Sequence, residues 1–153
     1  MFRKILIGYD PRGKMLANTV KKWLEAKKYD VVFAQTDGLD YVDATIKTAN
    51  MFEKNTRFDC VILICGTGVG VTMVANRFSF LRAICATSSE IAYFARRHEN
   101  ANCLCLPAGY DDGNVNFMLN DDEIFNIIST FFDTTFEGGR HEERVKKLST
   151  LGD

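Results

Sequence analysis

The segment from residue 60 to residue 70 constrains the fold of this chain most. Five apolar residues, Cys60-Val61-Ile62-Leu63-Ile64, run directly into Cys65-Gly66-Thr67-Gly68-Val69-Gly70. A continuous apolar run of this length is typical of a β-strand covered on both faces, as in a parallel sheet. The three alternate glycines let the backbone turn tightly and approach a ligand closely. The segment therefore predicts a buried strand, a glycine-rich loop and the start of a helix.

Strands and helices alternate along the rest of the chain. Apolar residues recur at helical spacing between the strands, and Ser88 precedes one helix as a typical N-cap. The predicted strands are about Lys4 to Tyr9, Tyr29 to Ala34, Cys60 to Ile64, Arg82 to Ala86 and Cys103 to Leu106. The alternation predicts the α/β class, a three-layer α/β/α fold with a Rossmann-like, doubly wound, five-stranded parallel sheet.

Length and composition exclude several classes of protein. The 153 residues suit one domain (1–153), and the net charge of −1 without a basic block argues against a nucleic-acid partner. The apolar run at the N-terminus is too short for a signal peptide or a membrane span. Five cysteines, an odd number, suit reduced thiols in the cytoplasm. Cys103 and Cys105 lack zinc spacing and a second ligand pair, so we expect no metal.

Polar and flexible segments follow several of the predicted strands. Ligands of parallel sheets bind at the carboxyl ends of the strands. Asp10-Pro11-Arg12-Gly13, the residues 66–70 and Thr87-Ser88-Ser89 are predicted there. His98 is instead predicted at the far end of a helix, so it reaches that site only through the fold or through a second subunit. The polar segment from Gly109 to Asp122 has no assigned chemistry.

Residues Gly66 to Gly70, which we name the glycine loop, carry the strongest chemical signal. The N–H groups at a helix start suit an anion. The loop lacks the Lys-Ser/Thr of a Walker loop, and its G-x-G-x-G spacing is not the dinucleotide pattern. The same N–H groups favour a thiolate at Cys65, which makes it a candidate nucleophile or base. The alternative is an inert buried thiol at a strand end.

Four separated motifs resemble those of type B ribose-5-phosphate isomerases and the related galactose-6-phosphate isomerase subunits. They are Cys65 to Gly70 with Ala75-Asn76-Arg77, Asp10 with Gly13, Arg97-His98-Glu99-Asn100-Ala101-Asn102, and Phe136-Glu137-Gly138-Gly139-Arg140-His141 with Arg144. The resemblance covers almost the whole chain. It implies a cofactor-free aldose–ketose isomerase of a sugar phosphate, foremost of ribose 5-phosphate to ribulose 5-phosphate through an enediol.

The resemblance also implies residue roles. Cys65 moves the proton between two carbons, Thr67 and His98 assist ring opening, and N–H groups of the glycine loop hold the enediolate oxygen. Arg140 and Arg144 bind the phosphate. The expected substrate-binding residues are Asp10, Arg12, Tyr41, Gly66, Gly68, Val69, Gly70, Asn100, Arg140, His141 and Arg144. The family forms homodimers or tetramers with shared sites, so we expect the tail, about residues 134–153, to pack on a neighbouring subunit.

Departures from the family pattern leave alternatives open. Pro11 stands where the family usually has histidine, with Arg12 as a candidate replacement, and Glu99 replaces the asparagine after His98. Residues 40–45 are closer to the galactose-6-phosphate isomerase A subunit, which usually lacks the cysteine. The alternatives are a galactose-6-phosphate isomerase subunit, a non-catalytic phosphosugar-binding module and a flavodoxin-like flavin binder. In simpler interpretations, Asp10 only caps a turn and His98 only ends a helix.

Overall fold

The computed structural model describes residues 1–151 and confirms the α/β architecture. The sheet strands are β1 (Lys4–Tyr9), β2 (Asp30–Phe33), β3 (Cys60–Cys65), β4 (Ala83–Cys85) and β5 (Cys103–Pro107). Two short strands, β6 (Tyr110–Asp111) and β7 (Asn116–Phe117), pair as a separate hairpin. The helices are α1 (Lys14–Ala26), α2 (Tyr41–Lys54), α3 (Val69–Ala75), α4 (Ser89–Arg97), α5 (Asp121–Asp133) and α6 (Arg140–Leu148). All five predicted sheet strands are therefore present.

The sheet has the strand order β2-β1-β3-β5-β4, and every pair in it is parallel. The chain winds from β1 outward to β2 and then returns to place β3 on the other side of β1. In open parallel sheets, ligands bind where the winding direction reverses, at the carboxyl ends of the strands. In this chain, that crevice lies between the ends of β1 and β3, next to Asp10 and Cys65.

The apolar run in β3 is buried on both faces of the sheet, as its sequence predicts. Ile62 and Ile64 pack into the layer that contains α1, α4 and α5, whereas Val61 and Leu63 pack against α2 and α3. Because successive side chains of a strand alternate between faces, a strand between two helical layers needs apolar residues at every position. All six residues of β3 are buried.

Local sequence signals set the starts of several helices. The Ser88 side chain accepts a hydrogen bond from the N–H of Ile91 at 3.2 Å, so it caps α4 as predicted. Asn120 and Glu123 form a reciprocal capping box at the start of α5. None of the helices in residues 1–151 has the length and apolarity required to cross a bilayer.

The described part of the tail folds back onto its own chain. The Glu137 N–H donates to the carbonyl of Arg97 at 3.0 Å, and α6 buries His141 and Val145. Arg140 and Arg144 are exposed, four residues apart on this helix. Packing of the tail on a neighbouring subunit stays a prediction.

Candidate active site

Cys65 ends β3, and its side chain is buried, with 5% of the residue exposed. Its Sγ accepts a hydrogen bond from the backbone N–H of Gly68 at 3.2 Å. This hydrogen bond ties the conformation of the glycine loop to the Cys65 sulfur. Gly68 reaches this position with φ +78°, and a Cβ there would lie 2.8 Å from Cys85 Sγ. The glycine is therefore required both by the backbone conformation and by the space.

The remainder of the glycine loop turns directly into α3. The hydroxyl oxygen of Thr67 accepts from the Val69 N–H at 3.2 Å, and Thr67 is partly exposed beside Cys65. A Cβ on Gly70 would lie 2.8 Å from the Tyr41 ring, so Tyr41 covers this end of the loop. The structure thus brings Thr67, Tyr41 and the loop together with the cysteine.

The turn after β1 lies next to the end of β3. The Asp10 N–H donates to the carbonyl of Ile64 at 3.2 Å, and Asp10 Oδ1 accepts from the Gly13 N–H at 2.9 Å. Asp10 is buried and caps this turn. A Cβ on Gly13 would lie 2.3 Å from the Ile64 carbonyl oxygen, so α1 begins in close contact with β3. A contact between Asp10 and a substrate hydroxyl stays a prediction.

Arg12 and Tyr110 form a pair above the glycine loop. The guanidinium carbon of Arg12 lies 4.1 Å from the centroid of the Tyr110 ring, and one guanidinium nitrogen donates to the Tyr110 hydroxyl at 3.4 Å. A Cβ on Gly66 would lie 3.0 Å from Tyr110 and 3.2 Å from Arg12. Sequence reasoning gave Tyr110 no role. Tyr110 follows β5 directly, at the carboxyl ends of the strands where ligands bind, and this position could have indicated a role in the site.

Three other cysteines of the sheet, Cys60, Cys85 and Cys103, are suited to packing rather than to proton transfer. Burial raises the pKa of Cys85 to about 11 and raises the pKa values of Cys60 and Cys103 further. These three groups are therefore protonated at neutral pH. Cys85 lies beneath the loop, where its Sγ donates to the Thr67 carbonyl at 3.6 Å.

A second group of functional candidates consists of His98, Glu137 and His141, which we name the histidine cluster. The two imidazole rings stack with centroids 4.4 Å apart and planes 10° from parallel. Glu137 Oε2 lies 3.3 Å from His141 Nε2 and 3.7 Å from His98 Nε2. Glu137 was part of the tail motif but received no role. Its spacing of four residues from His141 was the signal that could have identified it.

The histidine cluster places three potential metal ligands within 4.8 Å of one another. A nitrogen lone pair of imidazole lies in the plane of its ring. Since the planes of His98 and His141 are 10° from parallel and stacked, the two lone pairs do not converge on one point. The two rings therefore do not direct their nitrogens at a single metal ion. Glu137 Oε2 lies near both Nε2 atoms, but His141 Nε2 has no hydrogen-bond partner within the described residues.

Within one chain, the histidine cluster lies at the edge formed by the amino ends of the parallel strands, and Cys65 lies at the edge formed by their carboxyl ends. Helix α4 runs antiparallel to the strands and ends at His98, just before β5 begins, whereas Cys65 stands where β3 ends. Asn100 is near His98 and has its Oδ1 occupied by Arg96 at 3.0 Å. The predicted site residues thus form two half-sites. The carboxyl-edge half-site contains Asp10, Arg12, Tyr41, Cys65, Gly66, Thr67, Gly68, Val69 and Gly70, and the other half contains His98, Asn100, Arg140, His141 and Arg144.

Comparisons with known proteins agree over nearly the whole chain. The model of the family described as Ribose/Galactose Isomerase matches residues 5–148. A probable ribose-5-phosphate isomerase B from Mycoplasma genitalium is 37% identical over 150 residues, which cover 94% of this chain and 92% of that protein. A galactose-6-phosphate isomerase subunit from Lactococcus lactis is 29% identical over 147 residues, covering 96% of this chain and 98% of the subunit.

Solved structures match the fold equally well. The ribose 5-phosphate isomerase of Thermotoga maritima superposes with a TM-score of 0.86 at 34% identity, covering 97% of this chain and 99% of that one. Ribose-5-phosphate isomerase B from Mycoplasma genitalium, solved with bound ribulose 5-phosphate, has a TM-score of 0.84 at 35% identity, with 97% and 95% covered.

The fold, the cysteine with its glycine loop and these relatives define an aldose–ketose isomerase, an enzyme that exchanges carbonyl and hydroxyl between neighbouring carbons. Within that class, the chain belongs to the ribose/galactose isomerase family.

Proposed function

We propose that the protein interconverts ribose 5-phosphate and ribulose 5-phosphate through an enediolate, with Cys65 as the base. The observation that carries this proposal is the Gly68 N–H aimed at Cys65 Sγ at 3.2 Å, at the switch point of the sheet. A relative 35% identical holds ribulose 5-phosphate in its structure, which supports the choice of a five-carbon substrate.

The chemistry needs one group that moves a proton and several that hold charge. The Cys65 thiolate removes the proton from C2 of the open-chain aldose, and the electron pair of that C–H bond forms the C1–C2 double bond of the enediolate. The former carbonyl oxygen takes the negative charge, which the N–H groups of the glycine loop stabilise. Cys65 then returns the proton to C1, and the proton of the C2 hydroxyl passes to O1. Thr67 and His98 assist the preceding opening of the furanose ring.

The separation of the two half-sites supports a shared active site in a homodimer. His98 lies at the edge of the sheet opposite to Cys65, so within one chain it is placed away from the proton-transfer step. A second copy that sets its histidine cluster against the glycine loop completes the site. The exposed Arg140 and Arg144 then supply positive charge for the phosphate. The five free cysteines suit a reducing cytoplasm, where we place the protein.

Replacement of Cys65 tests the reaction and the base together. Cys65→Ala is compared with the wild type and with Cys60→Ala, which removes a thiol from the opposite end of the same strand. We expect conversion of ribose 5-phosphate, and incorporation of deuterium from D2O, to fall on the order of a thousandfold in Cys65→Ala only. Normal turnover by folded Cys65→Ala contradicts the role of Cys65. A wild type that binds the sugar phosphate without isotope exchange would be a binding module instead.

A six-carbon substrate is the second candidate. The Lactococcus lactis relative is a galactose-6-phosphate isomerase subunit, and it aligns with 96% of this chain. An enzyme of that kind is expected to act on galactose 6-phosphate and to need a second, different chain. Activity of the purified chain alone on ribose 5-phosphate, with little on galactose 6-phosphate, separates the two candidates.

A further inference from the structure

The polar segment after β5 is hydrogen-bonded to the backbone of Cys65 and of the glycine loop. The N–H of Ala108 donates to the Cys65 carbonyl at 2.8 Å, and the N–H of Gly109 donates to the Gly66 carbonyl at 2.8 Å. Gly109 has φ +112°, a conformation that glycine adopts readily. The next residue is Tyr110, the first of the β6–β7 hairpin, and its ring lies against Gly66. The hairpin therefore delivers one aromatic ring onto the glycine loop.

Arg12 reaches the same place from the turn after β1. That turn is closed by two hydrogen bonds from the Gly13 N–H, to the Asp10 carbonyl at 3.0 Å and to Asp10 Oδ1 at 2.9 Å. Pro11 stiffens the turn further, because its ring restricts φ. Among residues 1–151, no carboxylate lies within ion-pair distance of Arg12. The Arg12 side chain thus passes Gly66 with its Cδ, and its exposed guanidinium lies over Tyr110 without an acidic partner among the described residues.

We propose that Tyr110 is a positioning residue that holds the Arg12 guanidinium beside the glycine loop, and that Arg12 is the phosphate-binding cation of the half-site containing Cys65. This inference rests on the proposed function. The guanidinium carbon lies over the Tyr110 ring and one N–H donates to the Tyr110 hydroxyl, which leaves its other N–H donors for phosphate oxygens. Holding the side chain in advance also lowers the entropy lost when substrate binds.

The test uses Arg12→Gln, Tyr110→Leu and the double variant in the full-length protein, with Arg57→Gln as a matched loss of an exposed arginine elsewhere. We measure KM and kcat for ribose 5-phosphate and the affinity for inorganic phosphate by 31P NMR titration. We expect Arg12→Gln to raise KM and weaken phosphate binding at least about tenfold. We expect Tyr110→Leu to raise KM about threefold, with kcat changed less.

The double variant separates positioning from a structural effect. If Tyr110 acts through Arg12, Tyr110→Leu changes neither KM nor phosphate affinity further when Arg12 is already glutamine. Independent, multiplying effects, or an unchanged phosphate affinity in Arg12→Gln, overturn the proposal. The phosphate titration is independent of turnover. If the wild type leaves ribose 5-phosphate unconverted, the proposed function is wrong, while loss of phosphate affinity in Arg12→Gln still supports the pair.

Discussion

His98 and His141 stack face to face at 4.4 Å within a single chain, although 43 positions separate them in the sequence. Glu137 lies against both rings, so three residues of two distant motifs form one unit. This unit is at the edge of the sheet opposite to Cys65. If this unit and Cys65 act on one substrate molecule, the two groups must come from two copies of the chain.

Mixing two inactive variants is expected to restore activity. Cys65→Ala removes the base from one half-site, and His98→Asn removes an imidazole from the other. In a dimer with shared sites, a mixed pair contains one site with both residues intact. After subunit exchange of equal amounts, random pairing gives about one quarter of wild-type activity. Turnover is measured before and after exchange.

Each variant alone and the two mixed without subunit exchange are the controls. Activity that stays at the level of the separate variants after exchange would show that Cys65 and His98 of the same chain serve the same site, or that His98 is not required.

Glu137→Gln is expected to lower kcat for ribose 5-phosphate about tenfold, with a smaller change in KM. The carboxylate lies 3.3 Å from His141 Nε2 and 3.7 Å from His98 Nε2, so its charge acts on both imidazoles. A glutamine retains the shape but loses the charge that favours a particular ring tautomer, and general acid–base groups contribute about 100-fold or more to rate. Glu143→Gln, an exposed change in α6, is the matched control. Equal kcat values for the two variants would remove Glu137 from the mechanism.

Gly68→Ala is expected to reduce both stability and turnover. The positive φ of +78° and the 2.8 Å approach to Cys85 Sγ force the loop to shift. We expect a loss of about 1–3 kcal/mol in the free energy of unfolding, together with displacement of the N–H from Cys65. Urea denaturation and steady-state kinetics measure the two effects.

Gly38→Ala provides a control for backbone strain alone. Gly38 has φ +79°, nearly the same as Gly68, and nothing lies within 4 Å of a Cβ placed there. This variant is expected to lose about 1 kcal/mol while turnover remains normal. If Gly68→Ala behaves identically, the loop geometry around Cys65 is unimportant for catalysis.

Tyr9 is expected to make the fold sensitive to alkali. Burial, and then the hydrogen bond from its hydroxyl to Asp37 at 2.9 Å, raises the pKa of Tyr9 to about 12 from 10.0. Below pH 10 both states keep the proton, so stability is unaffected. Between pH 10 and 12 the unfolded chain loses the proton first, and the free energy of unfolding falls as pH rises. Urea denaturation at pH 9, 10 and 11 measures this slope.

Tyr9→Phe removes the titrating group and should flatten that part of the pH profile relative to the wild type. Tyr93→Phe, on the exposed face of α4, is the matched control and should retain the wild-type slope. If the free energy of unfolding of Tyr9→Phe falls with pH as steeply as that of the wild type, groups other than Tyr9 cause the alkaline sensitivity.

Local sequence patterns were sufficient to predict most strands and helices of this fold. The uninterrupted apolar residues of β3 indicated a strand buried on both faces, since alternate side chains must each face a helical layer. The glycines after Cys65 indicated a tight loop at the ligand-binding edge. The position of His98 at the end of α4 already placed it away from Cys65, because helix and strand run in opposite directions in such a fold.

Tertiary structure alone decided which distant residues meet. The insertion of β5 between β3 and β4, the Tyr110 ring on Gly66 and the Glu137 carboxylate beside the two stacked imidazoles all depend on pairings across long stretches of chain. The spacing of apolar residues, capping residues and turn residues predict only the secondary structure of the segments that contain them. Contacts such as Arg12 with Tyr110, 98 residues apart, are set by how the layers pack and where a hairpin is tied to the loop backbone.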